Sequence, residues 1–135
     1  MIPDLNDDGY LPPGIHGANL EEIENRFGTE SEVRRAQFQS IRWLMDLAVR
    51  GGVERVVLNG SFVTDAYEPN DVDCVLLIRP GFPRDPLVEK QLRHGLPFLD
   101  IALLDQDGFD DLVERVFATD RHSVPKGMIE VVLWN

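Results

Sequence analysis

"NGSFVTDAYEPNDVDCVLL", residues 59–77, places a Gly-Ser pair nine residues ahead of an Asp-x-Asp, and the second acid leads straight into an apolar run. Side chains alternate along a strand, so Asp71 and Asp73 share a face, roughly 7 Å apart at Cα. Val72 and residues 74–78 are apolar whichever face they occupy, which marks an interior strand. The two carboxylates therefore stand at the mouth of a buried element and not on a solvated ribbon.

A third acid repeats the arrangement. In PFLDIALL (97–104), Asp100 is the only charge in an apolar strand. If that strand neighbours the one behind Asp73, the sheet spacing of about 4.8 Å brings all three carboxylates together. Two carboxylates about 5 Å apart repel by roughly 3 kcal/mol at an effective dielectric of about 20. Such a cluster takes up protons or binds a cation, and oxygen-only ligands favour Mg²⁺ or Mn²⁺. Paired divalent ions roughly 4 Å apart serve phosphoryl and nucleotidyl transfer. The turn at Gly60 and Ser61 complements the acids, because exposed backbone N–H groups and a Ser hydroxyl can hold phosphate oxygens. A lone Asp-x-Asp or Gly-Ser is an ordinary turn feature, and a buried Asp can equally be satisfied by backbone donors. It is the conjunction that points to a nucleotide site.

Around this stretch the chain reads as one compact domain of 135 residues, 43% apolar and 27% charged. The sequence predicts an irregular arm over 1–18 and a short helix over 20–27, capped by Asn19 with Glu22 and stopped by Gly28. A long helix over 30–50 is expected to start at a Thr29–Glu32 capping box and to end at Gly51 and Gly52. Strands are expected at 53–59, 71–78, roughly 98–104 and 128–134, with short helices near 86–94 and over 109–118. The expected fold class is α+β: an α/β sandwich with a mixed sheet of about four strands flanked by helices.

Composition narrows the partners. The formal net charge is −11 and the 13 Lys and Arg residues form no run, so general nucleic-acid binding is disfavoured. No apolar stretch has the length of a membrane span, and the start lacks a signal-peptide pattern. A single cysteine, Cys74, cannot form an internal disulfide, which suits the cytoplasm.

Residues 52–104, with Gly60, Ser61, Asp71, Asp73 and Asp100 as the matching positions, resemble the nucleotidyltransferase core of the DNA polymerase β superfamily. The whole chain, through "DLNDDGYLPPGIHGANLEEI", "LNGSFVTDAYEPNDVDCVLLI" and "DRHSVPKGMIEVVL", also resembles a family of short stand-alone bacterial proteins without an assigned function. The resemblance implies two Mg²⁺ (or Mn²⁺) ions held by Asp71, Asp73 and Asp100, with Asp100 also a candidate base, and NMP transfer from an NTP such as ATP to an acceptor hydroxyl. It implies nucleotide contacts at Gly60, Ser61 and Thr64. Lys126, in the loop DRHSVPKG (120–127) with Arg121, joins them if that loop folds over the acids.

Two departures qualify the match. Small antitoxin-type relatives carry basic residues after Gly-Ser, whereas FVTDAYEPN (62–70) has none and adds Asp65 and Glu68. No sizeable helical domain follows the core, so a partner chain or a second copy is expected to complete acceptor binding. The alternative is an antitoxin-like or regulatory module that works by association, its acidic surface suited to a basic toxin.

Other features read more plainly. DLNDDG (4–9) mimics the start of a calcium loop, but Ile15 stands where the last ligand would be, so it reads as a turn. His16, His94 and His122 lack metal spacing, Cys74 reads as a buried thiol, and Ser61 lacks a hydrolase elbow. Trp43 and Trp134 read as core or interface anchors.

Overall fold

The structure is a computed structural model and describes residues 1–133. Its elements are β1 (Gly14–Ala18), α1 (Leu20–Phe27), α2 (Glu32–Gly51), β2 (Arg55–Asn59), β3 (Val72–Leu77), α3 (Pro86–His94), β4 (Leu99–Leu104), α4 (Gln106–Asp111) and β5 (Gly127–Val131). The strands form one mixed sheet in the order β1-β5-β2-β3-β4. The class is α+β as expected, with five strands where four were expected. The added strand is β1, inside the segment read as an irregular arm. It pairs in parallel with β5 at the sheet edge.

The two faces of the sheet carry separate apolar clusters. Val56, Leu58, Val72, Cys74, Leu76 and Ile129 pack under α1, α2 and α3 through Ile23, Phe38, Ile41, Leu44, Val88 and Leu92. On the opposite face Val57, Val75, Leu77 and Met128 form a smaller cluster with Phe109 and Val113, flanked by Leu104, Leu112 and Phe117. Arg55 lies 4.9 Å over the Phe109 ring and pairs with Glu130 at 2.5 Å, so cation–π and charge-assisted contacts border this smaller cluster. The second face is thus covered at one end and open at the other.

Capping chemistry sets the helix starts. Asn19 and Glu22 form a reciprocal capping box on α1, as the sequence predicts. For α2 the cap is Ser31, whose hydroxyl accepts from the Arg34 N–H, so the Thr29 box does not form and the helix begins two residues later than expected. Gly51 is the last helical residue and Gly52 the cap. The helix expected over 109–118 starts earlier, at Gln106 behind an Asp105 cap, and its continuation over Leu112–Val116 widens into a π-turn. Trp43 is 44% exposed on α2 and so is no core anchor. β5 ends at Val131, with residues 132–133 outside it, so the strand expected over 128–134 stops short; Trp134 lies outside the described residues.

The first turns of α2 hold the segment between the Gly-Ser turn and the Asp-x-Asp. Arg34 is 1% exposed and has no carboxylate partner among the described residues. Its guanidinium donates to the carbonyls of Phe27 (3.0 Å), Phe62 (2.7 Å), Thr64 (2.9 Å) and Ala66 (3.0 Å). The rings of Phe27 and Phe62 flank it, at 5.9 and 5.4 Å. Ser31 donates to the Tyr67 carbonyl and Gln37 to that of Pro69. One helix face therefore satisfies the backbone of an otherwise irregular loop. Among the described residues no helix is long and apolar enough to cross a membrane.

Replacing Arg34 with Met should strand these carbonyls in the interior and cost about 3–5 kcal/mol in urea unfolding. Arg34→Lys should recover little, because three ammonium donors cannot reproduce a planar fork. A loss under about 1 kcal/mol for Arg34→Met would contradict this assignment.

Candidate functional site

Sheet register sets two of the three acids side by side. In the parallel β3–β4 pair Asp73 lies opposite Asp100, and in the antiparallel β2–β3 pair Asn59 lies opposite Asp73. Directly paired residues share a face, so Asn59, Asp73 and Asp100 form a row across three strands. The row is on the face of Val57 and Val75, at the end that α4 leaves open. Asp71 stands just ahead of β3, exposed, as is Asp100, whereas Asp73 is half-buried.

The electrostatics record the crowding. Burial first, then the neighbouring Asp71 and Asp100 carboxylates, push Asp73 above the usual carboxylate range, and Lys126 draws it part of the way back. Lys126 is half-buried in its turn. Burial lowers its ammonium, and Asp73 and Asp120 oppose that shift. The structure thus brings Lys126, just ahead of β5, to the acids; Arg121 is exposed in the preceding turn.

Gly60 and Ser61 flank the row. Gly60 has φ +87° and ψ −172°, a conformation almost confined to glycine, and a Cβ there would lie 3.0 Å from Asp73 Oδ2. The Asp73 carboxylate thus leans onto the end of β2. Residues Ser61–Val63 form a single 3₁₀ turn. Thr64 braces that turn: its hydroxyl donates to the Ser61 carbonyl at 2.6 Å and accepts from the Ala66 N–H at 3.2 Å.

A second set of contacts ties the surrounding loops. Tyr10 bridges Thr64 and donates its hydroxyl to Asp120 at 2.8 Å, which raises the Tyr10 phenol; the Val124 N–H and then this hydroxyl hold Asp120 low. Asn6 accepts from the N–H groups of Asp8 and Tyr10, so DLNDDG is a self-bonded turn. Cys74 is buried, and burial raises its thiol further out of reach of thiolate chemistry. His16 pairs with the Pro12 carbonyl.

The donor set suits a hard divalent cation: carboxylates in lateral register, with none of the three engaged in a hydrogen bond or ion pair among the described residues. They are neighbours and not a closed cage. Among the described residues no group of three His, Cys, Asp or Glu side chains is drawn together tightly enough to hold an ion. A surface hollow of about 490 Å³, lined by Gly51, Gly52, Arg79 and Arg84 among others, lies at the far end of β2, away from the acids.

Sequence reasoning missed two participants. Asn59 is 1% exposed, and both its side-chain polar atoms are buried without a partner among the described residues. Arg34 was hidden because helical periodicity scores a charged residue as surface. The signal for Asn59 was a carboxamide closing a β-branched strand beside the Gly-Ser turn.

Fold and site together define an α+β domain with an acid-lined open sheet face and one half-buried lysine. The chain belongs to DUF6932, a family of unknown function, which it matches over residues 3–132. No curated protein and no solved structure matches it.

Because the fold holds Asp73 above its unfolded range, the native state binds the more protons in the interval between the two values. Stability contributed by this group therefore falls as pH rises through that interval. Asp73→Asn should raise the melting temperature at neutral pH, and its advantage should vanish below the unfolded carboxylate range, near pH 3. A variant less stable than wild type at pH 7 would refute the crowding. Gly60→Ala should cost about 1–3 kcal/mol in the same unfolding measurement.

Proposed function

We propose that the protein is a Mg²⁺- or Mn²⁺-dependent minimal nucleotidyltransferase that moves NMP from an NTP to an acceptor hydroxyl, whose oxygen bonds the α-phosphorus as the bond to the β-phosphate breaks and pyrophosphate leaves. The observation that supports this most is the register of Asp73 against Asp100, with Asp71 leading into the same strand and the Gly60–Ser61 turn packed on the Asp73 carboxylate. In this reading Asp71 and Asp73 would hold the ions, and Asp100 would help to hold one and act as the base for the acceptor hydroxyl. The ions, when bound, screen the triphosphate and acidify the acceptor hydroxyl. Ser61 and the backbone of its turn hold terminal phosphate oxygens, Thr64 keeps the turn in shape, and Lys126 adds a cation facing the phosphates. A second copy or a partner chain would complete acceptor binding, and the cytoplasm is the proposed setting.

One observation favours a second reading. The loop over 61–70 carries no Lys or Arg and bears Asp65 and Glu68, in a chain of net charge −11. Such a surface suits an antitoxin-like or regulatory module that associates with a basic toxin or another partner protein.

Calorimetry with each NTP, ATP first, should show binding only when Mg²⁺ or Mn²⁺ is present. That binding should disappear in the Asp71→Asn, Asp73→Asn double variant. NTP binding that is indifferent to metal and to both substitutions would exclude the transferase. A protein partner retained by the double variant would favour the association module.

A further inference from the structure

We propose that Asn59 is a positioning residue whose carboxamide donates an Nδ2–H hydrogen bond to the Asp73 carboxylate when that carboxylate turns to hold a divalent cation. The assignment rests on the acids being a cation site, as proposed above, and adds a residue to it. Three placements converge. Asn59 closes β2 directly opposite Asp73, so the two side chains rise from one face of neighbouring strands. The Asp73 carboxylate leans toward that strand end, with Oδ2 3.0 Å from where a Cβ on Gly60 would sit. Asn59 is 1% exposed, with Nδ2 and Oδ1 both buried and unpaired among the described residues.

A carboxamide in such a place is costly as it stands, because both ends have lost water without gaining a partner. An apolar side chain of similar size would fill the space without that cost. The group is explained if its donor is used in another arrangement of the same site. Asp73 supplies that arrangement. A carboxylate ligating through one oxygen keeps lone pairs on the other, and an outer hydrogen bond to them fixes its orientation. Within the sheet Asn59 is the donor beside Asp73: Asp100 on the other flank is acceptor-only when ionised, and Lys126, also near this carboxylate, stands outside the strands, just ahead of β5.

The near-isosteric variants Asn59→Val and Asn59→Thr separate a hydrogen bond from packing, since both are β-branched and suit a strand, and only Thr can donate. By calorimetric Mn²⁺ titration of the full chain, Asn59→Val should bind about 10–100-fold more weakly than wild type. Its melting temperature should be unchanged or higher, and Asn59→Thr should regain part of the lost affinity. In wild type, adding Mg²⁺ should move the Asn59 side-chain amide resonance downfield, a readout that needs no variant to fold. If wild type binds Mn²⁺ and both variants bind it equally well, or lose affinity equally, Asn59 has no positioning role and the acid site stands without it. An Asn59 amide that does not shift in Mg²⁺-bound protein likewise removes the positioning role. If wild type binds neither ion, the cation site fails and the Asn59 assignment fails with it.

Discussion

A single buried guanidinium fixes the distance on which the site depends. Gly60–Ser61 and Asp71–Asp73 are separated by a loop that has no regular structure beyond the 3₁₀ turn Ser61–Val63, and such a loop would ordinarily let its two ends drift. Arg34 removes that freedom by binding three of the loop's carbonyls and one from the end of α1. A cation taken out of water without a counter-ion costs several kcal/mol. Four oriented carbonyl dipoles and two aromatic faces offset that cost. Burial lowers the guanidinium, with Glu30 and Asp65 opposing the shift, and it remains charged. The interaction is therefore conditional on the loop following one course. Any other course strands the cation, which makes Arg34 a determinant of shape more than a source of net stability.

The sheet imposes the opposite condition on the acids. Register is set by burial of the apolar residues of β3 and β4, and a slip of one residue would move Val75 and Leu77 to the other face. The same register that buries those residues fixes Asp73 beside Asp100. Repulsion between carboxylates is thus carried by the hydrophobic energy of the strands behind them. The open end of this face lets Asp71 and Asp100 keep their water, so only Asp73 bears the desolvation. Tyr10 joins the N-terminal arm to the loop that ends at Lys126, which keeps this cation near the acid that most needs it.

Much of this was legible because it is local or periodic. The Asn19–Glu22 box, the apolar face of α2, the interior strand after Asp73 and the lone acid in β4 each follow from spacing along the chain. What escaped depends on contacts far apart in sequence. β1 reads GIHGA, with no alternation and two glycines, and becomes a strand because β5 offers a parallel partner more than a hundred residues later. The α2 cap shifted from Thr29 to Ser31 because Ser31 also bonds the Tyr67 carbonyl. Arg34, Gln37 and Asn59 break the rule that polar side chains face water. Arg34 and Gln37 do so for backbone carbonyls that periodicity cannot foresee, and Asn59, on the proposed reading, for the Asp73 carboxylate. Where the polar pattern failed to predict burial, it failed at or next to the site, as expected where function competes with folding.

The charge balance orders any chemistry at this face. Three carboxylates with a single nearby ammonium leave it negative, in a chain of net charge −11. A triphosphate alone meets net repulsion here, and Lys126 cannot reverse it because Asp73 and Asp120 already claim its field. Divalent cations would reverse it, since each relieves the repulsion among the acids and presents positive charge outward. On the proposed reading, cation and nucleotide must therefore bind with strong mutual dependence, each raising the affinity of the other by the same factor. An association module has no such requirement. A basic partner could neutralise the same carboxylates directly, and the two functions would then compete for one set of charges.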